Sequence, residues 1–263
     1  MSSVFAVLPA AGTGSPEQAF GQYRAILEHP EPTAPLPVVG IVVAQLRRQA
    51  GPLSVVRPPD GRGLLLEVES GDHLTGLCTA LRLTATRDLA VFEVDARRLH
   101  HPRTAARVPV KAGPHSFPTV TEPLVDLLIP NTRDIDGPAL TLAHDRDTQL
   151  HIRQLPDDIL ELTHHTAGEH FRLLTDDARL ARKVTWSWAR HDSWWHEAIS
   201  WQPCDPPAGD APVTDEAAAL LAELEELRAE VDGLEALDIG AAMNELDALT
   251  QSVLDIDIPD LDF

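Results

Sequence analysis

Lysine is nearly missing from this chain. Of its 21 basic residues only Lys111 and Lys183 are lysine, and the others are arginine. Cysteine is scarce too. Cys78 and Cys204 have no metal-ligand spacing and no partner set for a disulfide framework. Tyr23 is the single tyrosine and aromatic residues make up 5% of the chain, so Leu, Val and Ala must supply most of the core. No apolar run approaches the length of about 18 residues that a membrane-spanning helix needs. The opening "MSSVFAVLPAAG" has an apolar stretch without the basic flank of a secretory signal. The expected location is a reducing cytoplasm.

Positive charge is short overall, and the deficit is local. The chain carries −20, of which residues 205–263 carry −16, with 17 acidic residues against Arg228 alone. The first 204 residues are therefore close to neutral. Such a body with an acidic arm lacks the basic footprint that nucleic acids and anionic membranes require. It suits a basic protein partner.

Along the chain, "VFAVL" reads as a strand. "SPEQAFGQYRAIL" reads as a helix with Ser15 as N-cap and Pro16 at its first position. "VVGIVVAQLRRQAG" predicts a second helix, "LSVVR" and "LLLEVE" two strands, and Leu74, Leu77, Cys78, Leu81 and Ala85 one face of a third helix. "LAVFEVD" is an alternating strand. The order β-α-(α)-β-β-α-β predicts a split β-α-β, or ferredoxin-like, module over residues 1–102 with one extra helix. Residues 100–118, rich in Pro and Gly, read as a connector. Beyond it "LTLAHDRDTQLHIRQL" and "ILELTHH…FRLL" predict two β-hairpins, followed by a helix capped by Thr175. The expected class is α+β, with an antiparallel sheet-plus-helix module over 118–203 and an acidic helical tail over 214–263.

All five tryptophans fall between Trp186 and Trp201. The segment reads as helix, turn "RHDS" and short strand "WWHEAISW". Trp186, Trp188 and Trp201 are expected in the core, and Trp194 or Trp195 is expected to be a contact residue, since tryptophan is enriched at interface hot spots. The alternative, that all five are structural, stands beside this.

No catalytic set emerges. There is no Gly-x-Ser-x-Gly elbow, and Asp145 and Asp147 read as a hairpin tip rather than a carboxylate pair. His144, His151, His164, His165, His170, His191 and His196 lack metal-ligand spacing. They read as solvated turn and hairpin residues, and Cys78 as inert core. "VLPAAGTGS" resembles the nucleotide-binding start of the sugar-nucleotide and isoprenoid cytidylyltransferases. Those enzymes continue with Arg and Pro-Lys, whose cations hold a triphosphate. Here Pro16 takes the Arg position and the first lysine is Lys111, which leaves a plain strand-to-helix turn.

In the tail, Leu220, Leu224, Leu227, Val231 and Leu234 form a 4-3-4-3 stripe for oligomerisation, weakened by Gly233 and Gly240. The tip "DIDIPDLDF" resembles the acidic tip of bacterial single-stranded-DNA-binding proteins. A terminal Phe with flanking acids suits a basic, apolar pocket on a partner.

In layout, on "LAVFEVD" and "RKVTWSWARHDSWWHEAISW", the chain resembles bacterial immunity proteins that accompany polymorphic toxins. The resemblance implies a cytoplasmic, non-enzymatic protein that neutralises a basic toxin, without cofactor or metal. Its partner-binding residues would be Trp194, Trp195, Glu223, Glu226, Glu230, Asp257, Asp260 and Phe263. Two alternatives remain open. One is a nucleotide- or phosphate-handling enzyme at the Gly12/Gly14 turn, and the other a scaffold protein that oligomerises through the leucine stripe.

Overall fold

The computed structural model describes residues 2–28, 36–48, 51–60, 62–129, 140–166 and 168–205. The acidic segment, with Glu223, Glu226, Glu230, Asp257, Asp260, Phe263 and the stripe from Leu220 to Leu234, lies outside the described residues.

The first part of the chain runs β1 (Ser2–Pro9), α1 (Pro16–Glu28), α2 (Pro37–Arg48), β2 (Leu53–Asp60), β3 (Gly63–Glu69), α3 (His73–Thr84), β4 (Leu89–Glu93) and β5 (Arg98–His100). These strands form one antiparallel sheet in the order β2-β3-β1-β4-β5. Its two faces meet different helices. Phe5, Val7, Leu64, Leu66 and Val91 join Val39 and Val42 of α2 and Leu77 of α3 in one apolar cluster. Ala6, Leu8, Leu65, Ala90 and Phe92 pack with Ala19, Phe20, Tyr23 and Ile26 of α1 in another. β4 is therefore buried at all five positions and does not alternate between core and solvent, as the sequence suggested. Helices on both sides remove the wet face that alternation would serve. Gly76 lets α3 settle on this sheet, because a Cβ there would stand 2.7 Å from Val68 Cγ2.

The chain continues through β6 (Val110–Ala112), β7 (His115–Phe117), α4 (Glu122–Leu128), β8 (Leu140–Ala143), β9 (Thr148–Gln154), β10 (Leu160–Thr166), β11 (Glu169–Thr175), α5 (Ala178–Ala189), α6 (Trp194–Glu197) and β12 (Gln202–Pro203). The second antiparallel sheet has seven strands in the order β12-β11-β10-β9-β8-β6-β7. Both expected hairpins are present, β8 with β9 and β10 with β11. Leu142, Leu150, Ile152 and Leu162 face Val184 and Trp188 of α5 and Leu124 and Leu128 of α4, in the cluster that also holds Phe5 and Leu77. The two sheets thus share one core. The Cys78 thiol donates to the Ser116 carbonyl at 2.9 Å across this junction, and burial pushes its pKa up, consistent with an inert core position. The architecture is mixed α+β with two antiparallel sheets. No described helix is long and apolar enough to cross a membrane.

Several local expectations need correction. The stretch 100–118 is no mere connector, since it supplies β6 and β7 to the second sheet. α4 was not anticipated, although Thr121 caps it by accepting from the Leu124 N–H and Pro123 stands in its first turn. The N-cap of α5 is Asp177, which accepts from the Arg179 N–H at 2.8 Å; Thr175 instead accepts from the Asp177 N–H. "WWHEAISW" is not a strand. Asp192 Oδ1 accepts from the Trp194 N–H at 3.1 Å and starts the single turn of α6. Among the described residues, the only strand pairing that follows is the two-residue β12 on β11.

Candidate ligand cleft

A cleft of about 890 Å³ opens where the edge of the first sheet meets the helices of the second. Gly14 contributes from the turn before α1, Pro16 from the start of α1, and Arg97 and Arg98 from the β4–β5 hairpin. His101, Arg103 and Arg107 lie on the segment after β5. Glu122 and Asp126 come from α4, His144 from the β8–β9 turn, and Trp186, Arg190 and His191 from the end of α5. A second hollow of about 240 Å³ shares Glu122, Asp126 and Trp186 with it and adds Arg179, Arg182 and Lys183.

The lining holds five arginines against two carboxylates, in a chain whose net charge is −20. Some of this charge is already matched. Arg103 forms a fork with Asp88, with Nε 3.0 Å from Oδ1, and this contact holds the Asp88 carboxyl below its ordinary range. Arg98 stands 3.8 Å from Glu93, and Asp126 is 3.9 Å from Arg182. Arg97, Arg107 and Arg190 make no ion pair within 4 Å among the described residues, although Arg97 lies near enough to Glu17 to help lower that carboxyl's pKa. Two of these lie over aromatic rings. The Arg97 guanidinium carbon is 3.4 Å from the centroid of Phe20, and that of Arg190 is 5.7 Å from Trp186.

The histidines are ordered by bonding and stacking. His101 Nε2 donates to the Ala10 carbonyl at 3.2 Å, which leaves Nδ1 to accept from the Arg103 N–H. His144 Nε2 donates to the Trp188 carbonyl at 3.2 Å, and its ring stacks on His191 with centroids 3.6 Å apart. Burial holds the His144 pKa below its ordinary value, and the neighbouring His191 works in the same direction. His191 has φ 56°, in the left-handed region. It follows α5 as part of a closing turn in which its N–H bonds the Trp188 carbonyl and the Asp192 N–H bonds the Ser187 carbonyl. Glycine is the usual residue at this position. Arg97, with φ 54°, is likewise left-handed. Four described non-glycine residues have positive φ, and two of them line this cleft.

The Gly12/Gly14 turn satisfies its own polar groups. Gly12, at φ 86°, offers its carbonyl to Gln22 Nε2 at 3.0 Å, and the buried Thr13 hydroxyl donates to the Pro9 carbonyl. Only Gly14 of this turn reaches the cleft wall.

Behind the cleft lies a buried polar relay. Glu93 Oε1 accepts from His100 Nε2 at 2.8 Å, and Oε2 accepts from His73 Nε2 at 2.8 Å. His100 Nδ1 stands 2.7 Å from the Thr121 hydroxyl. Burial raises the Glu93 pKa, but the bonds from His100 and His73 outweigh it and bring it down to about 2. The order hydroxyl–imidazole–carboxylate matches that of a nucleophilic triad. Thr121 and His100 are nonetheless buried, and the Thr121 oxygen is occupied as the cap of α4. The relay joins β4, β5, α3 and α4.

The tryptophans divide differently from expectation. Trp188 is core, while Trp186 and Trp201 are half-buried, as are Trp194 and Trp195. Trp195 turns into an aromatic cluster, edge-on to His164 at 4.7 Å and 5.9 Å from Trp201, whose Nε1 donates to the Trp195 carbonyl. Trp194 lies under the Lys183 ammonium at 3.7 Å. Neither lines the cleft; Trp186, expected in the core, does. His164 is buried rather than solvated, and burial among these rings lowers its pKa to about 4, with His196 and His165 adding to the effect. His165 points to the other face, stacked on His170 at 4.3 Å. Asp145 and Asp147 form a hairpin tip, where Asp145 Oδ1 accepts from the Asp147 N–H at 2.8 Å.

Among the described residues no group of His, Cys, Asp and Glu is placed to hold a metal ion. Sequence reasoning missed Arg97, Arg98, Arg103, Arg107 and Arg190. The first four lie in or beside the supposed connector, and Arg190 joins them only in three dimensions. No protein-family model, curated protein or solved structure matches this chain.

Proposed function

We propose that the described body is a binding protein for an anionic ligand and that the arginine-lined cleft is its working surface. One observation carries this. Arg107 and Arg190 reach the same cleft with no ion-pair partner among the described residues, and Arg97 joins them with only the exposed Glu17 carboxylate acting on it, within an acidic chain. Converging guanidinium groups repel one another. A phosphate or carboxylate seated between them converts that repulsion into charge-assisted, bidentate hydrogen bonds. No chemical step is assigned, since the Thr121–His100–Glu93 relay is buried and its hydroxyl caps α4. Calorimetric titration with inorganic pyrophosphate at low salt tests the reading. Binding should weaken as salt rises and weaken further in Arg107→Ala. Absence of binding at millimolar pyrophosphate would overturn it.

In fold terms, we read the first sheet as a split β-α-β unit of the ferredoxin-like kind, extended by β5. β1 and β2 each pair antiparallel with β3 and so run parallel to each other on either side of it. α1 packs on the face opposite to α2 and α3, which departs from that pattern.

A second reading, a protein of the immunity type that engages a basic partner, is favoured by the concentration of −16 in residues 205–263. In it Trp194 and Trp195 are contact residues and the acidic segment accelerates encounter. Association with the basic product of an adjoining gene should slow steeply with salt for the full chain. For a chain ending at Cys204 it should be slower and nearly salt-independent. Equal salt dependence for both chains would remove the segment from the reading.

A further inference from the structure

The cleft is built for more than charge, and the rings on its α5 wall say what else it takes. We infer that its ligand is a nucleoside phosphate, with the base against His191 and Trp186 and the phosphates among Arg97, Arg98 and Arg107. This rests on the anion-binding reading above.

Trp186 on α5 and Arg190, the C-cap of that helix, are four residues apart, hence on one face, and both line the cleft. His191 follows directly and lies nearly parallel to His144, at 3.6 Å between centroids and 24° between planes. His144 is anchored beneath it by the bond to the Trp188 carbonyl. One face of the exposed His191 ring is therefore covered by His144, and no aromatic ring among the described residues covers the other. This wall offers flat π surfaces, which suit a planar heterocycle. Arg97, Arg98 and Arg107, on and beside β5, add guanidinium groups to the lining, which suit phosphate oxygens.

Size points the same way. A cleft of about 890 Å³ lies within the range of small-molecule sites, whereas an inorganic anion would leave most of it filled with water. The backbone adds an independent sign. His191 occupies a helix-closing position where glycine is relaxed, so an imidazole is held there against local preference. An acidic peptide would use the arginines but has no need of the flat rings, and it serves as the competing outcome.

Calorimetric titration of the full chain with ADP, inorganic pyrophosphate and hexaglutamate separates these cases. ADP should bind about five- to a hundredfold more tightly than pyrophosphate, the range that base stacking supplies. It should also quench Trp186 fluorescence, and that quenching should vanish in Trp186→Leu. His191→Gly, which suits the backbone, should bring ADP down to the pyrophosphate affinity and leave pyrophosphate binding within about twofold. Arg107→Ala should weaken both. Pyrophosphate binding with no gain for ADP, or an unchanged ADP preference in His191→Gly, overturns the nucleotide assignment and leaves the anion site standing. Tighter binding of hexaglutamate than of ADP replaces the nucleotide with an acidic peptide. Absence of binding by all three removes the anion site as well.

Discussion

Glu93 and His100 hold each other at 2.8 Å where neither side chain meets water. The carboxylate also accepts from His73, and His100 leans on the Thr121 hydroxyl that caps α4. The folded pKa of Glu93, about 2, lies below the ordinary 4.5. The unfolded chain therefore takes up the proton first as pH falls. The stability from this group is present above about pH 4.5 and lost as pH drops toward 2, an effect of about 3 kcal/mol. Urea unfolding from pH 5 to 2 should show this loss, and Glu93→Gln should lack it while being less stable at neutral pH. An unchanged acid limb in Glu93→Gln would mean that other carboxylates set it.

His164 supplies a separate acid limb at higher pH. Its folded pKa of about 4 lies below the ordinary 6.5, so the unfolded chain again binds the extra proton between these values. Stability should be intact above about pH 6.5 and fall by about 3 kcal/mol as pH drops toward 4. His164→Phe keeps a ring among Trp188, Trp195 and Trp201 without a titrating group, and should flatten that window. Unfolding curves of this variant and Glu93→Gln should each lose a different part of the pH profile.

Arg97 and His191 both hold left-handed backbone that favours glycine. His191→Gly should be as stable as the parent, or more stable by up to about 1 kcal/mol. Arg97→Gly should be near neutral, because the contact with Phe20 offsets a similar amount. Both should bind pyrophosphate or ADP less well than the parent in at least one of the two titrations. A loss of more than about 2 kcal/mol in either variant would show that these side chains serve folding rather than a ligand.

The tryptophans should separate by depth. Trp188→Ala should cost about 3–5 kcal/mol, as for a large ring removed from a core. Trp195→Ala and Trp201→Ala should cost less, since both are half-buried but share the cluster around His164. Trp194→Ala loses the contact with Lys183 and the packing of a half-buried ring on the core, and should cost less than Trp188→Ala. Thermal melts of the four variants check the order. Equal destabilisation by all four would make Trp194 a structural residue and remove it as a contact candidate.

Local pattern was sufficient wherever an element is long enough to show its period or carries its own cap. The apolar run from Val4 to Leu8, the face of α3 and the two hairpins of the second sheet were legible for this reason. α4 was legible in principle, because Thr121, Glu122 and Pro123 precede Leu124, Leu127 and Leu128 at helical spacing. β5, β6 and β7 span three residues each, too short for any period to appear, and exist because neighbouring strands supply their hydrogen bonds.

Composition determined, without any structure, that the charge deficit lies beyond residue 204 and that the first part of the chain is near neutral. It also led away from an anion site, since a sum over residues erases their arrangement. Only the tertiary structure decided that Arg97, Arg98, Arg103 and Arg107 share a cleft with Arg190, more than 80 positions along the chain. The same holds for His144 on His191 and for Glu93 with His73, His100 and Thr121. Electrostatic and stacking energies depend on distance in space, and the core that joins the two sheets sets those distances.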